Sequence, residues 1–353
     1  MIKPKKHIAE MSPYNPPLEG RSGFKYRFDF NESTLGCSPE VIKDIQEFLS
    51  KNNLNVYPEY GKLAEIAASF FEVDEGQIMI TNGSDQGIDV LIRTYVGKGD
   101  EVIIPTPSFA MFYQSAKIEG AKIQEILYNE DLSFPTTQIL EAINPNTKLV
   151  IICNPNNPTG TRASPEDIKK IVEKAENIPV YIDETYYDFS RETALELMKK
   201  HDNIIITRTF SKAFGLAALR IGFLFSNEQN IKEMLKVRGP YDMNMIAKTA
   251  TISAIKHSGF VKEYCEEVME ESKPYLYEEL EKMGLKTFPS SANFLIVKIG
   301  QRVKEITEKL AEKGILVRDR SKYPLLEGCI RVSIGNMEYT RHFVKVLRGV
   351  LND

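Results

Sequence analysis

Residues 203–225 read NIIITRTFSKAFGLAALRIGFLF and predict two buried strands joined by a loop that carries Lys212. Burying an ammonium group is costly unless it is paired or neutralised. A desolvated lysine has a lowered pKa and becomes a nucleophile toward carbonyl carbon. The same loop holds the hydroxyls of Thr209 and Ser211, and Arg220 follows as a cation suited to a nearby anion. A Ser-Lys pair is nevertheless more often an exposed dipeptide, so this interpretation depends on the rest of the chain.

The composition of the 353 residues excludes several classes of protein. A hydrophobic fraction of 42% with 27% charged residues is typical of a soluble globular protein, and the length favours two domains. The net charge of −4 and the interleaved charges predict neither a nucleic-acid nor a membrane partner. No apolar run approaches the ~20 residues of a membrane-spanning helix, and no apolar segment follows the basic first residues as in a signal peptide.

The cysteines and histidines point to a reducing compartment and to the absence of a metal site. Four cysteines are scattered without a C-x-x-C spacing, which favours the cytoplasm. Cys153 and Cys329 fall in apolar runs, where a small buried thiol is the simpler interpretation. No two of the four histidines are close in sequence, so no metal ligand set is expected.

Helical and extended patterns alternate from about residue 62 to residue 225 and predict an α/β domain. Ser38 and Pro39 suit the N-cap and first position of a preceding helix. The strands are short and continuously apolar, so we expect a mostly parallel sheet covered by helices, with ligands bound where its strands end. The predicted strands include 77–81, 101–104, 149–153, 180–182, 203–207 and 221–225, and the predicted helices include 63–71, 87–95, 111–119 and 165–176.

The C-terminal third has a different pattern. From about residue 240 long amphipathic helices take over, for example over 261–283. A smaller α/β unit follows, with strands predicted at 294–297, 315–318 and 329–334 and a helix at 303–313. We therefore expect an N-terminal arm over 1–40 that packs with the small domain, a large domain over 41–245 and a small C-terminal domain over 246–353.

Two loops after the predicted strands carry residues that suit a flat, anionic ligand. Residues 82–86 (NGSDQ) lead into a helix, where backbone N–H groups and the Ser84 hydroxyl can hold a phosphate. An ordinary N-cap by Ser84 or Asp85 explains the same residues. Phe109, in the loop after the next strand, can stack on a ring or belong to the core.

Two further loops add polar groups. Residues 154–160 (NPNNPTG) form a turn of fixed shape that presents the amide of Asn157, although a surface turn explains its prolines and glycine. Asp183 follows a buried strand and either caps a helix or faces a cation such as a pyridinium nitrogen, and Tyr186 can donate to a phenolate oxygen. With Lys212 beside a phosphate-sized anion site, these residues together indicate pyridoxal phosphate as the cofactor.

From Asp29 to the C-terminus the sequence resembles the fold-type I pyridoxal-phosphate aminotransferases, and among them the histidinol-phosphate aminotransferases. The resemblance implies a large α/β domain that binds the cofactor and has a mostly parallel seven-stranded sheet covered by helices, and a smaller α/β C-terminal domain. The motifs that carry the resemblance are residues 30–32 (FNE), 57–58 (YP), 82–85 (NGSD), 105–109 (PTPSF), 154–160 (NPNNPTG), 183–186 (DETY), 209–212 (TFSK), 220–222 (RIG) and 328–331 (GCIR).

The resemblance implies a role for each site residue. Lys212 is the catalytic residue, bonded to the cofactor aldehyde, and Asp183 pairs with the pyridine nitrogen. Tyr57 reaches the phosphate of the partner subunit's cofactor, which implies a homodimer with shared active sites. Arg331 grips the substrate carboxylate bidentately, and Arg318 lies near the substrate's charged end. The remaining implied contacts are Asn157 and Tyr186 at the ring oxygen, Phe109 on the ring, Ser84, Asp85, Thr209, Ser211 and Arg220 on the phosphate side, and Tyr14 in an arm that closes over the substrate.

The activity implied by the resemblance is transamination in histidine biosynthesis. Glutamate donates its amino group, leaves as 2-oxoglutarate, and imidazole-acetol phosphate accepts the group to give histidinol phosphate. An aromatic or broad-specificity aminotransferase, or a threonine-phosphate decarboxylase, would keep the same core motifs. A non-catalytic regulator would carry a DNA-binding domain ahead of these motifs, and residues 1–28 are too few to form one.

Overall fold

The computed structural model describes residues 2–51 and 54–352. Its helices and strands are numbered here along the chain, and short 3-10 turns are left unnumbered. The strands are β1 (Tyr26–Arg27), β2 (Ile78–Asn82), β3 (Glu101–Thr106), β4 (Lys122–Leu127), β5 (Thr147–Cys153), β6 (Val180–Asp183), β7 (Ile204–Thr209), β8 (Ile221–Phe225), β9 (Lys286–Thr287), β10 (Phe294–Lys298), β11 (Ile315–Leu316), β12 (Arg318–Asp319) and β13 (Cys329–Ser333). The helices are α1 (Lys6–Ala9), α2 (Pro39–Lys51), α3 (Leu63–Phe71), α4 (Gly83–Tyr95), α5 (Ala110–Ile118), α6 (Thr136–Ala142), α7 (Pro165–Ala175), α8 (Tyr187–Ser190), α9 (Leu195–Met198), α10 (Glu228–Leu235), α11 (Met245–Lys256), α12 (Gly259–Glu266), α13 (Lys273–Lys282), α14 (Val303–Glu312) and α15 (Met337–Asn352).

The large sheet has seven strands in the order β2-β8-β7-β6-β5-β3-β4. Within the described ranges β8 is its one antiparallel strand, so β2 and β7 on either side of it run in the same direction as the rest. The strands β5, β6, β7 and β8 are buried along almost their whole length, as expected of strands covered by helices on both faces. The prediction of a mostly parallel seven-stranded sheet is therefore confirmed.

The edge strand β4 was not located from the sequence. Its residues are a mixture of apolar and polar side chains, and each is at least partly exposed. Because its side chains are not buried, this strand lacks the continuous apolar run that marks the buried strands, including β2 at the opposite edge.

A second sheet of four antiparallel strands, in the order β12-β13-β10-β9, lies in the C-terminal third. The strand predicted at 315–318 is divided between two sheets, because β11 pairs with β1 of the N-terminal segment and β12 pairs with β13. The pairing of β1 with β11 connects the first thirty residues to the C-terminal part of the chain. The proposed domain boundaries at residues 40 and 245 stay predictions.

The long helix predicted over 261–283 is interrupted. A π-helical segment, Glu267–Ser272, separates α12 from α13. Pro274 lies at the start of α13 and has no N–H to complete the regular helical pattern. The Glu267 carboxylate accepts a hydrogen bond from the backbone N–H of Met337 at 2.8 Å, which ties this segment to the first residue of α15.

Among the described residues, no helix is long and apolar enough to cross a lipid bilayer.

Candidate active site

Two cavities lie at the carboxyl edge of the large sheet. The first has a volume of about 100 Å³, and the second, with a volume of about 550 Å³, is also lined by residues of the N-terminal segment and of the small sheet. The predicted cofactor-binding residues that line the first are Ser84, Asp85, Phe109, Asn157, Asp183, Tyr186, Thr209, Ser211, Lys212 and Arg220. The predicted substrate-binding residues Tyr14, Arg318 and Arg331 line the second. Lys212 and Asn157 line both, so the two cavities meet at the predicted catalytic lysine.

Lys212 follows the end of β7 and is held in a fixed position. Its Nζ atom donates a hydrogen bond to the main-chain oxygen of Phe30 at 2.9 Å. Burial and, to a lesser extent, the nearby positive charge of Arg331 lower the pKa of Lys212 to about 8. A fraction of this amine is therefore neutral near pH 7, as a nucleophile or a proton acceptor must be.

Asp183, the last residue of β6, is a buried carboxylate. It is 3% exposed and accepts a hydrogen bond from the backbone N–H of Thr185 at 2.9 Å. Among the described residues no lysine or arginine forms an ion pair with it. Burial raises the pKa of Asp183 to about 6. A buried carboxyl group in this state is suited to a ligand that brings its own positive charge.

Glu184, the residue directly after β6, belongs to a buried ion pair that was not predicted from the sequence. Glu184 accepts a hydrogen bond from Arg208 Nε at 3.0 Å, and both side chains are almost fully buried. The Arg208 guanidinium also lies 3.4 Å from the ring centroid of Tyr187. This pair joins the ends of β6 and β7, the strands that carry Asp183 and lead to Lys212.

Tyr186 is oriented by a residue of the N-terminal segment. The Asn31 side-chain amide donates to the Tyr186 hydroxyl at 2.8 Å, and both residues are buried. The backbone N–H of Asn31 is bonded to the Ser333 hydroxyl at 3.0 Å, and its carbonyl accepts from Asn293 at 3.2 Å. From the sequence, Asn31 is identified only as part of a motif, because its partners lie far away along the chain.

The predicted phosphate end is built on the N-terminus of α4, which begins at Gly83. Gly83 has φ +77°, and a Cβ atom there would lie 2.9 Å from Cζ of Arg220. Arg220 itself has φ +55° and pairs with the Asp85 carboxylate at 2.9 Å. It also donates to the Ser211 hydroxyl at 3.3 Å, and Thr209 donates to the same hydroxyl at 3.0 Å. Asp85 thus acts on this end through Arg220, because a carboxylate repels an anion.

The second cavity collects guanidinium groups. Arg331 on β13 donates to the main-chain oxygen of Asp29 and to the side-chain oxygen of Asn157. Arg318 lies opposite Arg331 in the strand pairing, with its guanidinium 5.2 Å from the ring centroid of Phe30. Burial lowers the pKa of Arg331, and the positive charge of Arg320 adds to the effect. The sequence analysis did not assign Arg320, which lines this cavity.

Tyr57 lines neither of these two cavities. It is 74% exposed, and its ring packs against Tyr241 with a centroid distance of 4.8 Å. Both side chains lie on the surface, since Tyr241 is 66% exposed.

These residues fit the groups of pyridoxal phosphate. The cofactor has an aldehyde for an amine of lowered pKa, which Lys212 provides, and a basic ring nitrogen for the unpaired Asp183. Its phosphate suits the N-terminus of a helix of thirteen residues flanked by Arg220 and Ser211. Each of these three observations concerns a separate part of the same cavity.

The chain is similar to a known protein family over most of its length. The family model described as aminotransferase class I and II matches residues 25–347. A histidinol-phosphate aminotransferase of Caldanaerobacter subterraneus subsp. tengcongensis is 36% identical over 333 residues, which cover 93% of this chain and 94% of the relative. One from Thermoanaerobacter pseudethanolicus is 36% identical over 332 residues, covering 93% of each chain.

A solved structure has the same fold. The histidinol-phosphate aminotransferase of Sinorhizobium meliloti in complex with pyridoxal-5'-phosphate superposes with a TM-score of 0.89, covering 100% of this chain and 98% of that one. The two sequences are 24% identical, so this likeness concerns the fold.

Proposed function

The chain belongs to the class I and II aminotransferases, and we propose that it transfers the amino group of glutamate to imidazole-acetol phosphate, giving 2-oxoglutarate and histidinol phosphate. The observation that supports these substrates is that two relatives named histidinol-phosphate aminotransferase are 36% identical to this chain over 93% of its length. A cavity that joins Lys212 to the guanidinium groups of Arg318 and Arg331 supports it, since both substrates are anionic.

In this proposal the bound pyridoxal phosphate supplies an electron-withdrawing ring that makes the Cα proton of the amino donor acidic. Lys212 accepts that proton on Nζ and returns it to complete the amino transfer, which its pKa of about 8 permits near neutral pH. The hydrogen bond to Phe30 at 2.9 Å fixes where the amine lies before the cofactor binds.

The other residues hold and orient the bound groups. Asp183 stays ionised opposite the cofactor's ring nitrogen, where the paired positive charge offsets the cost of burying its carboxylate. Tyr186, fixed by Asn31, and Asn157 act at the ring oxygen. Arg331 binds a substrate carboxylate through two parallel N–H groups, a geometry that a guanidinium group provides.

The proposed assembly is a homodimer with shared active sites, located in the cytoplasm. Exposed apolar side chains are grouped near Tyr57, namely Leu54, Val56 and Tyr241, each more than 60% exposed in the single chain. Such a group is typical of a surface that another protein covers. The four cysteines are free thiols in the described structure, as expected in a reducing compartment.

The decisive experiment compares amino acceptors on the purified, cofactor-loaded enzyme. With glutamate as donor, we expect kcat/KM for imidazole-acetol phosphate to exceed that for phenylpyruvate by roughly 100-fold. The phosphate carries nearly two negative charges and phenylpyruvate's carboxylate carries one, so the phosphate better matches a cavity lined by Arg318, Arg320 and Arg331. Formation of 2-oxoglutarate measures both reactions, and Lys212→Ala is the inactive control. A preference for phenylpyruvate, or release of CO₂ from threonine phosphate without any need for 2-oxoglutarate, would refute the proposal.

A further inference from the structure

Arg320 is a buried cation whose guanidinium group is not fully bonded. Its side chain and backbone together are 9% exposed, and its Nε atom has no hydrogen-bond partner within the described part of the chain. It lines the same cavity as Lys212 and Arg331. A buried polar group without a partner is costly, so its retention in a cavity wall points to a ligand that completes its bonding.

The backbone holds Arg320 in place on both sides. Its N–H donates to the carbonyl oxygen of Cys329 at 2.9 Å, and its own carbonyl accepts from the N–H of Tyr323 at 2.9 Å. The guanidinium carbon lies 5.2 Å from the ring centroid of Tyr323. Arg320 is thus anchored next to β12, two residues after Arg318, rather than extended into solvent.

The carboxylates of the cavity wall already form ion pairs with other arginines. Asp29 and Glu32 both bind Arg21, at 2.9 Å and 2.6 Å, and Asp85 pairs with Arg220. The structure records no ion pair for the three remaining arginines of the wall, all of them described residues. These are Arg318, Arg320 and Arg331.

The unbalanced positive charge acts on the arginines themselves. Burial lowers the pKa of both Arg320 and Arg331, and each is lowered further by neighbouring guanidinium groups. An anion that enters the cavity relieves this repulsion. A carboxylate carries one negative charge, whereas a phosphate monoester carries nearly two near pH 7 and has three strong acceptor oxygens.

We propose that Arg320 is a specificity-determining residue that binds the phosphate of a phosphorylated substrate, together with Arg318 and Arg331. The inference rests on the proposed function. It adds Arg320 to the substrate-binding residues and gives Arg320 and Arg331 different roles. Arg331 serves both substrates, because each has an anionic end. The Nε atoms of Arg320 and Arg331 both lack a partner among the described residues. A phosphate ester, with its second charge and additional acceptor oxygen, can bind both groups, whereas a carboxylate held bidentately by Arg331 leaves Arg320 without a partner.

The test measures the two half-reactions separately on cofactor-loaded enzyme. In Arg320→Gln, kcat/KM for histidinol phosphate is expected to fall roughly 10- to 100-fold, the loss expected for a charge-assisted hydrogen bond, while that for glutamate changes less than about 3-fold. Arg320→Lys keeps the charge and is expected to recover part of the loss. Arg302→Gln, which alters an exposed arginine paired with Glu305, is the matched control.

A comparison of histidinol phosphate with unphosphorylated histidinol isolates the phosphate. The wild-type preference for the phosphorylated amine is expected to shrink in Arg320→Gln by the same factor as its kcat/KM falls. A protective shift in the melting temperature by inorganic phosphate is expected to shrink as well, independently of turnover.

Equal losses with glutamate and histidinol phosphate, or no loss with either, would overturn the assignment of Arg320 and leave the proposed function intact. A wild-type enzyme that transaminates phenylpyruvate but not histidinol phosphate would instead overturn the proposed function.

Discussion

The Nζ atom of Lys212 donates a hydrogen bond at 2.9 Å to the main-chain oxygen of Phe30, although 182 positions separate the two residues. The N-terminal segment is therefore part of the site and not only a cover over it. Three consecutive residues of the segment each bond a different side chain of the site, Asp29 with Arg331, Phe30 with Lys212 and Asn31 with Tyr186.

The first prediction concerns the amine itself. In cofactor-free protein, reductive methylation of Lys212 with formaldehyde and a borohydride reagent is expected to reach half its maximal rate near pH 8, because burial lowers the pKa of Lys212 to about 8. Exposed lysines such as Lys304 serve as internal controls for the efficiency of the reagent. Mass spectrometry of proteolytic peptides measures each site, and a Lys212 rate that stays far below half its maximum at pH 8 would contradict the prediction.

The second prediction concerns Asp183. The pKa of Asp183 is raised from 3.8 to about 6 in the folded chain, so its contribution to stability is complete below pH 3.8 and is lost as the pH rises to about 6. Above pH 6 the cofactor-free protein therefore holds an unpaired buried carboxylate. Asp183→Asn is expected to stabilise cofactor-free protein, with a gain at pH 7.5 that exceeds the gain at pH 5 by about 1 kcal/mol.

The same substitution is expected to weaken the binding of pyridoxal phosphate by roughly 10-fold or more, because the amide cannot neutralise a cationic ring nitrogen. Urea unfolding at the two pH values and titration with the cofactor measure the two effects. Asp131→Asn, at an exposed carboxylate bonded to Ser133, is the control and should change neither. A lower stability of Asp183→Asn than of the wild type at pH 7.5 would contradict the conclusion that the ionised Asp183 carboxylate destabilises the cofactor-free protein.

The third prediction separates backbone strain from the phosphate end. Gly83 and Gly99 both have positive φ, +77° and +89°, so alanine at either is expected to cost about 1–2 kcal/mol of folding free energy. A Cβ at Gly99 has open space, whereas one at Gly83 collides with Arg220. Gly83→Ala should therefore also displace Arg220 and weaken cofactor binding, while Gly99→Ala binds the cofactor normally. Equal cofactor affinity in the two variants would contradict this.

The site residues that follow the strands could be predicted because local sequence patterns locate them. Asp183 and Lys212 each follow a continuous apolar run, and parallel strands bring their carboxyl ends to one edge. The same patterns misplaced the start of α4, which begins at Gly83 and not at residue 87, because polar residues of a first helical turn look like a loop.

The contacts missed by the sequence analysis are of a different kind. The acceptor for Lys212 is a main-chain oxygen of Phe30, which any residue type would supply. The closeness of Arg320 to Arg331 depends on the antiparallel pairing of β12 with β13, and the two residues of β12 leave little periodicity to detect. Long-range register, and not residue type, decides both contacts.

The last prediction tests whether active sites are shared between subunits. Because Tyr57 is exposed and lines neither cavity of its own chain, we expect it to complete the partner's site. Lys212→Ala and Tyr57→Ala are then each expected to have little activity as homodimers. Coexpressed together, they form mixed dimers in which one site has both native residues, and random pairing gives about a quarter of wild-type activity. Coexpression of Tyr57→Phe with Lys212→Ala is the matched control, because it keeps the ring of residue 57 and removes only its hydroxyl. If Tyr57 instead served its own subunit, the mixed dimers would regain no activity, because each site would still carry one substitution.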